Sequence, residues 1–374
     1  MAFGATPAPT HNPNGDVEVQ NAATDGISSL SWSPTANFLV GTSWDNEVRC
    51  WEVQPGGNAV PKASTQHAGP VLCSCWSPDG ARVYTAGCDK TAKVWDLATN
   101  QSMQVAAHAE PIKSVFWAAE RNFLVTASWD KTVKFWDGKS PNPGATLQLP
   151  ERVYAADVQG NLMVLATADR KVVVVNLTNP TVPHATIASP LKYQSRCVAC
   201  FPDQRGFCLG SIEGRVAVHH VNKVEDQKNF AFKCHRDNQD IYAVNCIAFH
   251  PKFGTFATTG GDGTFNFWDK DSRQRLKAFQ KACLPIPVGA FNHDGTIRPT
   301  PQIRSRSHTC RRLTRVLARV QVPSSRTPCR TTGRVARSTT TRAPITCCCT
   351  RCPKRRSSRA TRPRPRPRGS AGDR

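Results

Sequence analysis

The sequence predicts an all-β fold: a β-propeller on a seven-bladed plan whose seventh blade is incomplete, followed by a basic tail. Four segments share one pattern, in which an aspartate precedes a tryptophan by six residues. The first three aspartates follow one another at steps of 44 and 41 residues, close to the length of a propeller repeat, about 40–45 residues. The stretches between them alternate apolar and polar residues, as half-buried strands do. The four pairs are Asp45 and Trp51, Asp89 and Trp95, Asp130 and Trp136, and Asp262 and Trp268.

A histidine precedes the tryptophan by 28 residues in the second and third repeats, at His67 and His108. This arrangement resembles the WD40 repeat, in which a turn aspartate bonds the histidine, the histidine bonds a strand threonine, and the threonine bonds the indole. Thr85, Thr126 and Thr258 each stand four residues before their aspartate and fit the threonine position. Buried polar groups must be paired, so such a network holds a blade in one geometry. We therefore predict structural roles for these residues.

Two further repeats are degenerate. The stretch NLMVLATADRKVVVVNL keeps an aspartate, Asp169, but has valine in place of the tryptophan, and GFCLGSIEGRVAVHH has Glu213 at the aspartate position. The sixth repeat begins near His235 and carries an insertion, HRDNQDIYAVN, before its first strand. The predicted blades lie at about residues 25–53, 67–105, 108–149, 151–188, 193–232 and 235–279.

The seventh blade begins and then fails within the predicted propeller domain, residues 25–297. PIPVGAFNHDGTI (285–297) predicts a first strand and its turn, but no apolar strand follows. The N-terminal extension, residues 1–24, contains DVEVQ (16–20), a candidate closing strand that then lacks a sheet to join. Residues 298–374 contain no aromatic residue and are rich in Arg, Pro, Thr and Ser, a composition that predicts disorder. Two origins of this tail stay open: a frameshift or gene-model error, and a genuine arginine-rich extension.

Charge is distributed very unevenly along the chain. The whole chain has a net charge of +22. The tail contains 21 arginines, one lysine and one acidic residue, a net charge of +21. Residues 1–297 contain 27 basic and 26 acidic residues, a net charge of +1. The RPRPRPR and KRR clusters of the tail are candidates for RNA binding or nuclear import. The propeller itself is therefore expected to attract anions only through local groups of cations.

Catalytic and metal sites are not predicted. The sequence lacks a nucleophile elbow, a P-loop, a zinc-protease motif and a dinucleotide fingerprint. The CCCTRC stretch (347–352) has no second ligand pair at zinc-finger spacing. No signal peptide or membrane span is evident, so we expect reduced cysteines, no cofactor and a cytosolic or nuclear protein.

Cations and aromatic residues gather at one end of the predicted blades. We call five of these residues the basic arc; three follow a turn acid and two precede the first strand of the sixth blade: Lys90, Lys131, Arg170, Lys233 and Arg236. Trp44 and Trp129 directly precede their turn aspartates and could offer stacking faces. The arc would attract phosphates or an acidic peptide. The alternative is that these side chains are simply solvated turn residues.

Longer stretches carry a more specific resemblance. LQLPERVYAADV, SIEGRVAVHH, FKCHRDNQDIYAVNCIAFHP and FWDKDSRQRLKAF resemble the WD-repeat family of poly(A) mRNA export factors, in order from about Asp25 to Ile297. This resemblance implies a non-enzymatic adaptor of the nuclear pore and nuclear envelope that shuttles to the cytoplasm. It also implies binding of a nucleoporin through its GLEBS-type motif, and of poly(A) RNA or mRNP. Family members close blade 7 with an aromatic strand that is missing here.

Two alternative functions remain open on the sequence alone. Related spindle-checkpoint WD proteins, which bind kinetochore kinases, share the SPLKYQSRC and FKCHR stretches, so a mitotic checkpoint or spindle adaptor is the first. A generic WD40 signalling scaffold is the second, but it would lack the export-family stretches.

Overall fold

The structure, a computed structural model, describes residues 17–54, 57–138, 140–282, 284–296 and 315–316. All of them belong to one compact unit, Met1–Val322. They form six four-stranded antiparallel sheets, which confirms the predicted all-β propeller class, with the strands of each sheet in chain order. The predicted disorder of the tail concerns residues that, apart from 315–316, lie outside the described ranges.

The six sheets are named blades 1 to 6, each running from an inner to an outer strand. Blade 1 comprises β2 Ile27–Trp32, β3 Phe38–Ser43, β4 Glu47–Val53 and β5 Ala59–Gln66. Blade 2 comprises β6 Val71–Trp76, β7 Arg82–Gly87, β8 Thr91–Asp96 and β9 Gln101–Ala107. Blade 3 comprises β10 Ile112–Ala118, β11 Phe123–Ser128, β12 Thr132–Trp136 and β13 Ala145–Gln148.

The second half of the propeller repeats this plan. Blade 4 comprises β14 Val153–Gln159, β15 Leu162–Thr167, β16 Lys171–Asn176 and β17 Pro183–Ala188. Blade 5 comprises β18 Ser195–Cys200, β19 Gly206–Ser211, β20 Arg215–His220 and, after the 3-10 helix η1 Lys223–Lys228, β21 Phe230–Lys233. Blade 6 comprises β24 Val244–Phe249, β25 Thr255–Gly260, β26 Phe265–Asp269 and β27 Gln274–Ala278.

Two small pairings complete the strand inventory. The insertion predicted before the sixth blade forms a hairpin of β22 Arg236–Asp237 and β23 Asp240–Ile241. The N-terminal strand β1 Val17–Glu18 pairs with β28 Arg315–Val316. The first predicted repeat, residues 25–53, covers only three strands of blade 1, because its outer strand β5 lies beyond it.

The core lies between neighbouring blades, and the inner strands follow one another around the propeller in chain order. Strand β15 is buried along its whole length. Its Met163 and Leu165 pack in one cluster with Phe135 of blade 3, whereas Val164 packs in another with Leu209 of blade 5. Alternate residues of a strand point to opposite faces of the sheet. A middle strand that is covered on both faces therefore has an almost continuous apolar sequence.

The blade-7 segment, residues 284–296, contains no strand within the part of the chain that the structure describes. It nevertheless lies between blade 6 and blade 1. The Asn245 side chain donates to the Ile286 carbonyl at 2.9 Å, and the Asn292 amide lies 3.1 Å from the Asn37 amide oxygen of blade 1. The first strand predicted within 285–297 is therefore absent from residues 285–296, because a ladder needs a second strand. The segment still runs from blade 6 to blade 1.

The N-terminal segment takes part in the packing of blade 1. Val19 is buried in the same cluster as Trp51, and Ala290 of the blade-7 segment packs against that cluster. The Trp51 indole donates a hydrogen bond to the Gln20 carbonyl at 2.8 Å. Residues before the first blade thus cover a flank that a seventh blade would otherwise cover.

Every inner strand contains a register shift at its second residue, so one residue per strand has no partner in the ladder. A β-bulge of this kind re-aims a side chain and bends the strand. We call these six residues the bulge ring: Ser28, Leu72, Lys113, Tyr154, Arg196 and Asn245.

The described residues contain no disulfide and no long apolar helix. None of the nine cysteines in these ranges forms a disulfide. Within the same ranges there is no helix long and apolar enough to cross a membrane.

Val19→Asp tests the packing of the N-terminal segment. An unpaired carboxylate at this buried site should lower the free energy of unfolding by about 3 kcal/mol or more, measured by urea denaturation. Val182→Asp is the control, since Val182 is 56% exposed, and it should change stability by less than about 0.5 kcal/mol. Equal effects of the two variants would show that Val19 is not buried against blade 1.

Candidate docking face

Blades 3 and 6 contain a complete chain of buried hydrogen bonds. In blade 3 the Trp136 indole donates to the Thr126 hydroxyl at 2.8 Å, Thr126 Oγ1 lies 2.7 Å from His108 Nε2, and His108 Nδ1 lies 2.8 Å from an Asp130 oxygen. An indole can only donate and a carboxylate can only accept. The chain therefore runs in one direction, from Trp136 through Thr126 and His108 to Asp130.

The same chain recurs in blade 6 with closely similar distances. The Trp268 indole donates to Thr258 Oγ1 at 2.9 Å, which lies 2.9 Å from His235 Nε2. His235 Nδ1 lies 3.0 Å from an Asp262 oxygen. Each of these two blades is thus tied from its third strand, through its second, to the loop that precedes its first.

Blade 2 departs from this pattern at the tryptophan. His67 lies 2.8 Å from both Asp89 and the Thr85 hydroxyl, but the Trp95 indole donates instead to the Asn100 side chain at 3.0 Å. Asn100 has a φ of 54° in the turn that leads to the outer strand. Sequence spacing could not reveal this substitute acceptor, because the threonine is present in both arrangements.

Blade 1 replaces the histidine altogether. Both the backbone N–H and the hydroxyl of Thr24 donate to Asp45, at 2.8 and 3.0 Å, and the buried guanidinium of Arg49 pairs with Asp45 at 2.9 Å. Burial alone raises the pKa of Asp45, but the hydrogen bonds from Thr24 and Glu47 and the charge of Arg49 outweigh it and hold the pKa below its usual value. The sequence shows that the histidine is missing, since Ala23 stands at its position, but it does not show which groups replace it.

The titration of the blade-3 pair also points to a structural role. Burial raises the pKa of Asp130, but hydrogen bonds from Thr132 and His108 outweigh it and leave the pKa below its usual value. Burial lowers the pKa of His108, whose side chain is completely inaccessible to solvent. These directions favour a neutral imidazole that donates to a carboxylate. The histidine is thus enclosed within the blade, where no substrate reaches it.

The turn acids and the loops before the inner strands lie at one end of the propeller, which we call the docking face. In each blade a backbone N–H of the turn donates to a carbonyl of that loop. Examples are Trp44 to Gly26 at 3.0 Å and Trp129 to Pro111 at 3.0 Å. The residue after the turn acid has a positive φ in all six blades: Asn46, Lys90, Lys131, Arg170, Gly214 and Gly263.

Two cations of the basic arc are already paired. Lys90 lies 3.5 Å from Glu110, and Lys131 lies 2.5 Å from Glu151. Both lysines are about half exposed, and ion pairs at such sites contribute little. Since each acid comes from the loop of the following blade, these pairs connect neighbouring blades and reduce the positive charge of this side.

The remaining cations of the arc lie over blades 4 to 6. Arg170 donates to the Lys192 carbonyl at 3.1 Å, and Arg236 donates to the Glu213 carbonyl at 3.0 Å. Lys233 is exposed at the end of β21. Both guanidinium groups are oriented through backbone oxygens, which leaves their charge available to an anion.

Apolar side chains are exposed on the same face. Trp44 is 49% exposed, whereas Trp129 is half-buried. Sequence reasoning missed three more: Tyr193, Ile212 and Ile241, which are 55%, 39% and 52% exposed. Ile212 could have been found, since it directly precedes its turn acid, as Trp44 and Trp129 do. The face therefore combines cations with apolar anchors. Within the described residues no group of three His, Cys, Asp or Glu side chains could hold a metal ion.

Thr126→Val and Thr85→Val form a matched pair that tests the hydrogen-bond chain. In blade 3 the change removes the partner of both His108 and Trp136, whereas in blade 2 it removes only that of His67. Each buried group left without a partner costs about 1–3 kcal/mol. Thr126→Val should therefore destabilise the protein by at least about 1 kcal/mol more in urea unfolding. Equal losses would contradict the shared role of Thr126.

Comparison with known proteins agrees with this geometry. The family model described as "WD domain, G-beta repeat" matches residues 17–52, 60–96, 100–137 and 227–269. Protein RAE1 of Arabidopsis thaliana is 59% identical over 299 residues, which cover 79% of this chain and 86% of the relative. Proteins called mRNA export factor in Xenopus tropicalis and Danio rerio are 54% and 53% identical over 312 residues, covering 79% of this chain and 85% of each relative. The chain belongs to this family of WD-repeat proteins.

Proposed function

We propose that this chain is a non-enzymatic adaptor in poly(A) mRNA export, working at the nuclear pore and shuttling between nucleus and cytoplasm. It would dock an acidic GLEBS-type peptide of a nucleoporin and bind RNA or mRNP. The names of its relatives, protein RAE1 and mRNA export factor, support the export role. The observation that carries the docking role is the combination of cations and exposed apolar side chains on one face of the propeller.

The turn positions of the basic arc give the first reason. Lys90, Lys131 and Arg170 adopt φ values of 66°, 68° and 60°. A residue with a Cβ pays for this left-handed conformation by about 1–2 kcal/mol, and blades 5 and 6 use glycine at the same place. Cations at strained turn positions of three consecutive blades are consistent with selection for recognition rather than for stability.

The apolar residues give the second reason. Affinity at protein interfaces comes chiefly from buried aromatic and apolar anchors, while charges at the rim provide orientation and speed of association. Tyr193 and Ile212 each adjoin a residue whose carbonyl accepts from an arginine of the arc, Lys192 from Arg170 and Glu213 from Arg236. Ile241 pairs with Arg236 in the hairpin. An extended peptide with acidic and apolar residues would satisfy both groups at once.

RNA would use the same chemistry with different anchors. Phosphates would contact the cations of the arc, and bases would stack on Trp44, which is half exposed. Because residues 1–297 carry a net charge of only +1, RNA binding by the propeller should depend on these local cations. It should also weaken strongly as salt is added.

Charge reversal tests the docking face. Lys131→Glu and Arg236→Glu should each weaken binding of a synthetic GLEBS-type peptide by about tenfold or more, measured by isothermal titration calorimetry. The reason is that each variant places a carboxylate opposite an acidic peptide. Added salt should reduce the difference between variant and original protein.

Lys62→Glu is the matched control, because Lys62 is a comparably exposed lysine on the outer strand of blade 1. It should leave peptide affinity unchanged. Arg236→Glu loses the hydrogen bond to the Glu213 carbonyl of blade 5. Circular dichroism checks that this variant still folds. Unchanged affinity in both Lys131→Glu and Arg236→Glu would refute the basic arc as the peptide-binding surface.

A further inference from the structure

The bulge ring surrounds a cavity at the docking-face end of the propeller. All six bulge residues line it, together with Trp44, Trp129 and Ser195. Its volume is about 460 Å³, many times the roughly 30 Å³ that a water molecule occupies in the liquid. The six blades and Pro287 of the blade-7 segment all contribute to its wall. The cavity therefore lies where the inner strands converge, and it is large enough for a small molecule.

The bulge ring carries two positive charges and no negative one. Arg196 donates to the neutral side chain of Asn245 at 2.8 Å, and Asn245 is in turn held by the Ile286 carbonyl at 2.9 Å. Lys113 forms no ion pair or hydrogen bond with any other side chain of the described ranges. The one acid in the cavity wall, Asp25, is exposed and accepts a hydrogen bond from Gly26 at 2.7 Å.

The surroundings of Lys113 supply no hidden counter-charge. Burial lowers the pKa of Lys113, and the charge of Arg196 lowers it further. The other groups that act on it are the thiols of Cys73 and Cys88. Burial raises the pKa of Cys73 to about 12 and also raises that of Cys88, so both thiols are neutral at pH 7. An anion placed beside the Lys113 ammonium in this setting would stabilise its charged form by Coulomb attraction.

Two further donors in the cavity wall have no partner within the described part of the chain. Ser195 is 2% exposed and its hydroxyl is unbonded, and the Trp129 indole N–H is likewise unbonded. A buried donor without a partner is unfavourable, because its hydrogen bond to water is lost and not replaced. Both residues line the cavity beside Lys113 and Arg196, but the two donor atoms themselves are covered.

We propose that this cavity is a binding site for a phosphate-class dianion, held by Lys113 and Arg196. A dianion matches the two charges of the bulge ring, whereas a carboxylate matches only one. A tetrahedral oxyanion also presents oxygens in several directions, as donors on different blades require. This site lies inside the ring and does not depend on the peptide docking proposed above.

Binding to the purified full-length chain at pH 7.5 tests the proposal, with inorganic phosphate and with AMP as probes. Isothermal titration calorimetry and tryptophan fluorescence should both show saturable binding at constant ionic strength, with acetate at least about tenfold weaker. Tighter binding of AMP than of phosphate would assign the anion to a nucleotide, and equal binding would assign it to a free oxyanion.

Lys113→Met and Arg196→Gln should each weaken phosphate binding by about tenfold or more. Lys62→Met, on the outer strand of blade 1, should leave it unchanged. Arg196 is exposed, so its variant stays informative even if Lys113→Met fails to fold. The proposal is overturned if phosphate shows no saturable binding, if acetate binds as tightly, or if Arg196→Gln binds like the original protein. Retained peptide docking in the same variants separates this result from the function of the docking face.

Discussion

Each blade of this propeller is stable only against its neighbours, because a sheet with two apolar faces cannot bury both of them alone. Strand β15 shows the constraint directly: Leu165 belongs to the core shared with blade 3 and Val164 to the core shared with blade 5. Each middle strand therefore contributes alternate residues to two different interfaces. This is why a break anywhere in the ring exposes two flanks.

The break between blades 6 and 1 is covered by segments that are not strands of a blade. On the blade-1 side, Val19 and Ala290 pack with Trp51. On the blade-6 side, Ile286 packs with Phe265. These contacts remove apolar surface from water without a ladder of hydrogen bonds, and they explain how the six blades keep their geometry beside an unformed seventh. They leave backbone groups of 284–296 without the regular pairing that a sheet provides.

The sequence predicted the structure best where a residue at a fixed spacing has a single hydrogen-bond partner. Spacing located His108, Thr126 and Trp136 correctly on their strands and loop, and the fold class follows from that spacing and from strand alternation. It could not show that Trp95 bonds Asn100, or that Arg49 stands in for a histidine. Those substitutions depend on which acceptor or cation reaches the same point in space, and spacing along the chain does not record that.

The docking face was predicted only in part for a similar reason. Lys131 was identified from its place after a turn acid, but its pairing with Glu151 arises from the next blade. The bulge ring was not foreseen at all, since a bulge shifts a strand by one residue without leaving a mark in composition or alternation. Tyr193 and Ile241 were missed because exposure of an apolar residue depends on what packs over it.

Turns and bulges occupy the same end of every blade, and this has a consequence for recognition. In blades 3 and 6 the His, Thr, Trp and Asp chain is enclosed within the blade and fixes the turn and the loop that precedes the inner strand. Two positions per blade are then held rigidly while their side chains stay free of that network: the residue after the turn acid and the bulge residue. In blade 3 these are Lys131 and Lys113, one on the outside of the face and one lining the cavity. A rigid scaffold with variable residues at repeated positions places binding groups accurately. In blade 3 the network that stabilises the blade therefore also positions Lys131, which we propose to bind an acidic peptide outside the ring, and Lys113, which we propose to bind a phosphate-class anion within it.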